Sequence, residues 1–240
     1  MNIRAVVLAA GKGTRLRPLT DRMPKVMVPV DGKPVLEYHI EQLARNGISE
    51  IFINLHYLPE VIKEYFSDGS KWGISIQYSL EPEIMGTAGA IKKLETYLTG
   101  HPFLVIYGDN LLEIDYAAFA EYSSGHRGLG AIAVVDKEDV TGCGILEIDG
   151  ANRILRFKEK PKPEEVFSHW VNAGVYWLDP AIFRYLPDGV SDFSSDVFPT
   201  LLRNNERLYA YKLSGGVQAI DNLELLERLR MHISPTKDRP

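Results

Sequence analysis

Residues 8–25 combine closely spaced glycines with a concentration of positive charge. Gly11 and Gly13 allow the backbone to adopt positive φ angles and to approach a ligand closely, so that consecutive N–H groups can converge on an anion. The basic side chains of this segment are Lys12, Arg15, Arg17 and Lys25. A guanidinium such as that of Arg15 offers the forked donor geometry that fits a phosphate. Two glycines alone would predict only a tight turn, but the whole segment predicts a loop that binds a polyphosphate.

The segment matches neither of two familiar phosphate-binding loops. A P-loop requires Gly-Lys followed by Ser or Thr, whereas Gly13 follows Lys12 here. The dinucleotide fingerprint requires a third glycine at the position that Leu16 occupies. A different class of phosphate-binding protein is therefore expected.

A second candidate for chemistry follows the apolar run 103–107, where Gly108 and Asp109 come next. Ligands bind α/β folds at the carboxyl ends of parallel strands, and a carboxylate there can hold a hard cation such as Mg²⁺ against phosphates. A single aspartate more often caps a helix or a turn. The polyphosphate loop favours the metal-binding role for Asp109.

Apolar runs alternate with helical patterns through the first half of the chain, which is typical of βα units and a largely parallel sheet. The predicted strands of this half are 5–8, 50–54, 75–78 and 103–107. The predicted helices are 36–45, 59–66 and 88–97. Gly86 and Thr87 precede the third helix, whose first turn could offer free N–H groups to a ligand.

Shorter strands are predicted after residue 109. They are 131–135, 143–148, 154–158, 173–177 and 208–213, with a hairpin joining the second to the third. Helices are predicted at 193–203 and 223–231. Because no linker, repeat or low-complexity tract separates these elements, one domain is expected over residues 1–233. A frayed polar tail is expected over residues 234–240.

Composition excludes several classes of protein. The net charge of −5 argues against a general nucleic-acid surface, and no apolar run approaches the length of a membrane span. Cys143 is the only cysteine, which excludes an internal disulfide, and the six histidines show no metal-ligand spacing. The N-terminus enters its first strand without a signal-peptide pattern. A small anionic ligand and a cytoplasmic location are therefore expected.

Over its whole length the segment 8–25 resembles the signature of the sugar-1-phosphate nucleotidylyltransferases, L-A-A/G-G-x-G-T-R-L-x-P-L-T followed by P-K. Three further family segments follow in the same order: Gly-Asp at 108–109, F-x-E-K-P at 157–161 and N-x-G-x-Y at 172–176. The resemblance implies a three-layer, Rossmann-like α/β fold of the nucleotide-diphospho-sugar transferase (GT-A-like) type, with a mixed, mostly parallel central sheet. It also implies Mg²⁺ as cofactor, an NTP and a sugar 1-phosphate as partners, and a possible homo-oligomer.

The resemblance also assigns roles to individual residues. The catalytic residues would be Arg15, Lys25 and Asp109. The nucleotide would be bound by Leu8, Ala9, Ala10, Gly11, Gly13, Thr14, Arg15, Glu81, Gly86 and Thr87. The sugar phosphate would be bound by Gly144, Glu159, Lys160 and Asn172. The metal would be held by Asp109 and Asp221.

Glu81 bears on the choice of nucleotide. Its carboxylate could accept hydrogen bonds from N1–H and the 2-amino group of guanine, a pairing that adenine cannot offer in the same form. This pairing favours GTP. The alternatives are a Glu81 side chain that points at solvent and a base that is read by backbone groups.

The chain departs from the family pattern at two positions. Many members read W-x-D-x-G near the C-terminus, and Ala219 stands where that aspartate aligns. Asp221 is the only acid nearby, in a Gln-x-x-Asp-x-Leu arrangement that resembles the cytidylyltransferase branch. Its rival role is the N-terminal cap of the last helix. Cys143 stands where tyrosine is usual, and a buried small hydrophobe is its expected role.

The resemblance implies transfer of a nucleoside monophosphate from an NTP to a sugar 1-phosphate, with release of pyrophosphate. Mannose 1-phosphate with GTP is favoured, followed by glucose 1-phosphate with UTP or dTTP, and then by a CTP-dependent reaction. A non-catalytic sugar-nucleotide sensor or regulatory subunit is the alternative of another class, and Ala219 is the feature in its favour. The intact residues that count against a sensor are Arg15, Lys25, Asp109 and Lys160.

Overall fold

The computed structural model describes residues 3–233, and a mixed sheet of nine strands lies at its centre. The strands are β1 Arg4–Leu8, β2 Pro29–Val30, β3 Lys33–Pro34, β4 Glu50–Leu55, β5 Ser75–Leu80, β6 Phe103–Tyr107, β7 Asn110–Leu111, β8 Gly130–Asp136, β9 Gly144–Ile148, β10 Ile154–Glu159, β11 Trp170–Leu178, β12 Leu208–Lys212 and β13 Gln218–Ala219. The helices are α1 Val35–Arg45, α2 Pro59–Phe66, α3 Gly86–Lys93, α4 Glu95–Leu98, α5 Tyr116–Ser124, α6 Phe198–Arg203 and α7 Leu223–Ile233. The predicted tail, 234–240, lies outside the described residues.

The sheet has the order β10-β9-β11-β6-β1-β4-β5, with β8 paired to β11 and β12. Strands β6, β1, β4 and β5 run parallel, while β11 is antiparallel to β6, β8 and β9. The predicted mixed sheet is confirmed. Two small antiparallel ribbons lie off it, one made by β2 and β3 and the other by β7 and β13.

Each face of the sheet carries its own apolar layer. Successive residues of a strand point to opposite faces, so Val7 of β1 contributes to one layer and Val6 to the other. The first layer is covered by α1, whose residues Leu36, Ile40 and Leu43 are fully buried on one helical stripe. Burial of each such side chain contributes roughly 1.5–3 kcal/mol relative to exposure. Helices α3 and α6 cover the other face, which makes three layers.

The structure corrects several predicted elements. The third helix begins at Gly86 rather than residue 88 and breaks at Leu94 into α3 and α4. The helix predicted over 193–203 starts with a π-helical turn at Phe193–Val197 and becomes α6 only at Phe198. Helix α5 and the four short strands β2, β3, β7 and β13 were not predicted, because they are short or lack a clear apolar period.

The last predicted strand before α6 is longer than its apolar run. It extends over the whole of β11, and its pairing with β8 shifts register between Asn172 and Tyr176. Gly174, with a φ of 75°, lies within this bulge. Within residues 3–233 no helix combines the length and the apolar character that a membrane span requires.

Candidate active site

The carboxyl ends of three parallel strands place the candidate residues at one edge of the sheet. Leu8, the last residue of β1, lies in register with Asn54 of β4 and Tyr107 of β6. The glycine-rich loop leaves from Leu8, and Asp109 follows Tyr107 after a single residue. Parallel pairing therefore brings the predicted phosphate loop next to the predicted metal ligand, although they lie far apart in sequence.

The loop after β1 depends on one of its two glycines for its conformation. Gly13 has a φ of 63°, whereas Gly11 does not adopt a positive φ, so that expectation is wrong for Gly11. A Cβ atom on Gly13 would lie 2.8 Å from the Cβ atom of Lys25 and 3.0 Å from a methyl group of Thr20. The Thr20 hydroxyl also donates a hydrogen bond to the Gly13 carbonyl at 2.7 Å. Gly13 is therefore the point where the loop folds back against Lys25.

Lys25 lies at the centre of the site. Lys25 is only 7% exposed as a whole residue. Its Nζ donates hydrogen bonds to Asp109 Oδ2 and, at 2.6 Å, to Asp221 Oδ1. Burial opposes the charged form of Lys25, but the two carboxylates outweigh that effect and raise the pKa of Lys25 above its ordinary value. The ammonium is therefore held charged between Asp109 and Asp221. Arg15, which is largely exposed, reaches within 3.3 Å of the same Asp221 oxygen.

The short β7–β13 ribbon brings Asp221 to Asp109. Ala219 lies opposite Asn110 in this ribbon, and the Ile220 N–H donates to the Asp109 carbonyl at 3.2 Å. Burial alone would raise the pKa of Asp221, but hydrogen bonding and charge from Lys25 lower it below its ordinary value. The rival role for Asp221, as cap of the last helix, is wrong. Asn222 fills that role, because its Oδ1 accepts the Leu225 N–H at 2.9 Å.

A cavity of about 330 Å³ lies on one side of Asp109. Six of the residues predicted to bind the nucleotide line it, namely Leu8, Ala10, Gly11, Glu81, Gly86 and Thr87. Ala9 lies beneath it, with its N–H donated to Asn54 Oδ1 at 2.6 Å. Gly13 and Thr14 lie outside the lining, in the segment that leads into Arg15. The cavity therefore brings most of the predicted nucleotide-binding residues together.

Glu81 is tied into the wall of this cavity. It is 1% exposed, its Oε1 accepts from Asn54 Nδ2 at 2.8 Å, and its Oε2 accepts from the Met85 N–H at 3.0 Å. The alternative in which Glu81 points at solvent is therefore wrong. Each carboxylate oxygen has a second lone pair, so these bonds orient the group and leave acceptor capacity for a base.

The expectation of free N–H groups at the start of the third helix is wrong for Thr87, Ala88 and Gly89. The Thr87 N–H and hydroxyl both donate to Asp192 Oδ1, at 2.8 and 2.9 Å. The N–H groups of Ala88 and Gly89 donate to the Ser191 carbonyl. The loop before α6 therefore caps α3, and the close approach explains Gly86, whose Cβ would lie 2.4 Å from the Ser191 oxygen.

A second cavity, of about 260 Å³, lies on the other side of Asp109. All four residues predicted to bind the sugar phosphate line it, namely Gly144, Glu159, Lys160 and Asn172, together with Arg15 and Asp221. The two cavities share Tyr107 and Asp109. The structure therefore joins the predicted nucleotide and acceptor sites at the position of the predicted metal ligand.

The acceptor side chains are held in different ways. A Cβ on Gly144 would lie 2.7 Å from Glu159 Oε2, so glycine leaves room for that carboxylate. Burial raises the pKa of Glu159, and the Lys160 ammonium at 3.9 Å only partly offsets the effect.

Asn172 donates to the Tyr176 hydroxyl at 2.8 Å and accepts from the Gly174 N–H at 2.9 Å. Lys160 is 69% exposed at its side chain and points into open space beside them.

Asn54 and Asp192 support this site but were not predicted from the sequence. Asn54 is 3% exposed and joins Ala9 to Glu81, and Asp192 caps α3. A polar residue at the end of an otherwise apolar strand was the available signal for Asn54.

Cys143 is half-buried rather than buried in the core, and its thiol lies at the wall of the acceptor cavity. Burial raises the pKa of the Cys143 thiol.

The residues present fit a hard cation. Asp109 and Asp221 direct one oxygen each at a single positively charged nitrogen, and carboxylate oxygens are ligands that Mg²⁺ accepts together with water and phosphate oxygens. Over residues 3–233 no cluster of three or more His, Cys, Asp and Glu side chains is arranged to hold a metal ion. A cation here would therefore need phosphate or water oxygens in addition to the two aspartates.

Comparison with known proteins gives a consistent result. The family model described as nucleotidyl transferase matches residues 4–216. The UTP–glucose-1-phosphate uridylyltransferase of Synechocystis sp. is 36% identical over 228 residues, covering 88% of this chain and 58% of that protein. The mannose-1-phosphate guanyltransferase of Saccharomyces cerevisiae is 34% identical over 218 residues, covering 89% and 60%. This chain therefore spans about three fifths of the length of these curated relatives.

Solved structures resemble the chain over nearly its whole described length. HddC from Yersinia pseudotuberculosis superposes with a TM-score of 0.81 at 28% identity, over 96% of this chain and 99% of that one. A putative glucose-1-phosphate thymidylyltransferase from Bacillus anthracis superposes with a TM-score of 0.88 at 22% identity, over 99% and 98%. The predicted Rossmann-like fold of the nucleotide-diphospho-sugar transferases is confirmed.

Proposed function

The chain belongs to the nucleotidyl transferase family, and we propose that it transfers a nucleoside monophosphate from an NTP to a sugar 1-phosphate and releases pyrophosphate. One observation carries the proposal: a cavity lined by predicted nucleotide-binding residues and a cavity lined by predicted sugar-phosphate-binding residues meet at Asp109, beside the Lys25 ammonium. A transfer between two bound phosphates requires such a meeting point. A protein that only binds a nucleotide does not.

The reaction needs no general base. An oxygen of the acceptor phosphate is already ionised at neutral pH and attacks the α-phosphorus. The bond between the α-phosphorus and its bridging oxygen to the β-phosphate breaks, and pyrophosphate leaves with that oxygen. Positioning and neutralisation of charge therefore supply most of the rate acceleration.

The chain divides this work among three groups of residues. The loop from Gly11 to Thr14, with Arg15, holds the β- and γ-phosphates that become the leaving group. Lys25 neutralises charge on the α-phosphate. Lys160 holds the acceptor phosphate, while Glu159 and Asn172 bind sugar hydroxyls and Gly144 lets the sugar approach the backbone. Asp109 and Asp221 would hold Mg²⁺, which when bound supplies further neutralisation of phosphate charge.

GTP and mannose 1-phosphate are the proposed substrates. The oriented carboxylate of Glu81 retains acceptor capacity toward the N1–H and 2-amino group of guanine, and this supports GTP. Several of the related proteins are named mannose-1-phosphate guanyltransferases. Glucose 1-phosphate with UTP, dTTP or CTP is the alternative, supported by the uridylyltransferase relative. A cytoplasmic location and a possible homo-oligomer stay predictions.

The test is a matrix of the common NTPs against several sugar 1-phosphates, scored by pyrophosphate release in the presence of Mg²⁺. We expect release with at least one pair, and the fastest with GTP and mannose 1-phosphate. No release with any pair would favour the sensor alternative. Ala219 gives that alternative little weight, because Asp221 places a carboxylate beside Asp109.

A further inference from the structure

We infer that Lys25 occupies the cation position between Asp109 and Asp221 in the free protein, so that a divalent cation reaches these carboxylates only together with the phosphates of the nucleotide. The inference rests on the proposed function, which assigns both aspartates to a cation. It gives Lys25 a second role, in the order of binding, in addition to its role in neutralising the α-phosphate.

The Lys25 side chain is held in this position by its surroundings. Its backbone begins the buried turn Lys25–Met27, and its side chain is only 9% exposed. Gly13 packs against the Cβ and Cγ atoms of Lys25 so closely that a methyl group would clash there. The ammonium therefore reaches the two carboxylates from a fixed stem and not as a mobile surface group.

The negative charges at this position are already neutralised in the free protein. Lys25 binds Asp109 and Asp221, Arg15 approaches Asp221 at 3.3 Å, and the charge of Lys160 also acts on Asp221. A divalent cation that entered alone would have to displace the Lys25 ammonium and leave it poorly solvated without a partner. Charges that are partly buried and lose their partners are unfavourable, because the surrounding dielectric screens them weakly.

A triphosphate changes this balance. Its oxygens offer Lys25 and Arg15 new anionic partners, and both side chains can then leave the carboxylates to which they are bound in the free protein. Asp109 and Asp221 become available to a cation at the moment when phosphate oxygens can complete its coordination. Nucleotide and cation therefore bind cooperatively, and the coupling is reciprocal, since each raises the affinity for the other by the same factor.

The test measures binding of Mn²⁺ alone, without nucleotide, by electron paramagnetic resonance of the free ion. It compares the wild type with Lys25→Gln and with the control Lys12→Gln, which removes the same charge from the exposed part of the same loop. We expect Mn²⁺ to bind at least tenfold more tightly to Lys25→Gln than to the wild type, about 1.4 kcal/mol. Lys12→Gln should stay within about threefold of the wild type, since the Lys12 side chain is exposed and its charge acts through solvent.

Equal Mn²⁺ affinities of the wild type and Lys25→Gln would overturn the inference. So would one Mn²⁺ per chain bound at micromolar concentration by the wild type, a result that does not depend on any variant folding. Lys25→Met, which keeps the apolar stem, repeats the measurement with a second side chain. Adding Asp221→Asn to Lys25→Gln should remove the tight binding, which locates the new site at this pair.

The outcome is separable from that of the proposed function. Tight Mn²⁺ binding by Lys25→Gln, combined with no pyrophosphate release by the wild type, would support the role of Lys25 and reject the reaction. Pyrophosphate release by the wild type, combined with equal Mn²⁺ affinities, would support the reaction and reject the role of Lys25 in cation binding.

Discussion

The nucleotide side and the acceptor side of the cleft are built differently. On the nucleotide side, buried hydrogen bonds link Asn54 to Ala9 and to Glu81, and Lys25 is enclosed between two carboxylates. On the acceptor side, Lys160 is largely exposed, and its nearest carboxylate, Glu159, lies 3.9 Å away. Buried, fully paired polar groups hold one geometry, whereas exposed ones keep their rotamer freedom.

This difference in burial indicates on which side of the cleft a substitution would change the choice of substrate most easily. The nucleotide side lies on parallel strands of the central sheet, so its geometry is coupled to the core. The acceptor side lies on β9, β10 and the bulged part of β11, and the Lys160 side chain that follows β10 is largely exposed. Substitutions on the nucleotide side should therefore affect stability and rate, and those on the acceptor side mainly the KM for the sugar phosphate.

The largest expected effect comes from the basic residues at the junction. Arg15→Ala and Lys25→Ala should each lower kcat/KM by about 10²–10³-fold, because each removes a donor aimed at phosphate charge. Arg15→Ala should leave the midpoint of thermal unfolding nearly unchanged, since its side chain is mostly exposed. Pyrophosphate release and calorimetry measure the two effects. Unchanged turnover of either variant would rule out the assigned role.

Asn54→Ala tests the buried network of the nucleotide side. Loss of its amide leaves one oxygen of the buried Glu81 carboxylate, Oε1, and the Ala9 N–H without a partner, so we expect a loss of roughly 1–3 kcal/mol in the free energy of unfolding. The KM for the NTP should rise. Asn172→Ala is the matched change on the acceptor side and should cost less stability while raising the KM for the sugar phosphate. Equal losses in urea denaturation would contradict the comparison.

Gly13→Ala tests the fold of the phosphate loop. The positive φ and the 2.8 Å approach to Lys25 should make alanine destabilising by about 1–3 kcal/mol. Gly11→Ala is the control, because Gly11 has no positive φ and a Cβ there would meet nothing within 4 Å. Denaturant unfolding of both variants measures the difference. A Gly11→Ala variant that is as unstable as Gly13→Ala would reject this account of the loop.

The smallest expected effect is a contrast in pH dependence. The folded-state pKa of Asp221 lies below its ordinary value, so ionised Asp221 stabilises the fold above that ordinary value, and the stabilisation is lost as pH falls through the folded pKa. The folded-state pKa of Glu159 lies above its ordinary value of 4.5. Ionised Glu159 therefore destabilises the fold, and this penalty develops as pH rises from 4.5 through the folded pKa.

Denaturant unfolding of Asp221→Asn and Glu159→Gln against pH measures the contrast. The wild type should lose stability relative to Asp221→Asn on acidification, and should lose stability relative to Glu159→Gln as pH rises above 4.5. Both differences should be small, since each carboxylate is partly exposed. The same sign of change for both variants would contradict the assignment of Asp221 as stabilised by its partners and of Glu159 as destabilised by burial.

Sequence patterns predicted most of the framework of this protein. Alternating apolar runs and helical stripes located the parallel strands and α1, because burial on one face imposes a period that the chain itself displays. The glycines and cations of residues 8–25 predicted a phosphate-binding loop for a similar reason, since their conformational freedom and charge are properties of the residues. Gly13 and Arg15 could be found before any contact was known.

Contacts between distant segments could not be predicted in this way. The sequence supported two roles for Asp221 equally, metal ligand and helix cap. Only the tertiary structure excluded the cap, because Asn222 fills that role while the pairing of β7 with β13 brings Asp221 to Lys25. The sequence predicted free N–H groups at the start of α3. In the structure the Ser191 carbonyl accepts from the N–H groups of Ala88 and Gly89. Local patterns report what each segment can do, whereas its partners depend on how distant segments pack. The sequence alone therefore determined the α/β framework and the glycine-rich, basic character of residues 8–25, and the tertiary structure decided which carboxylates share Lys25 and where the two cavities meet.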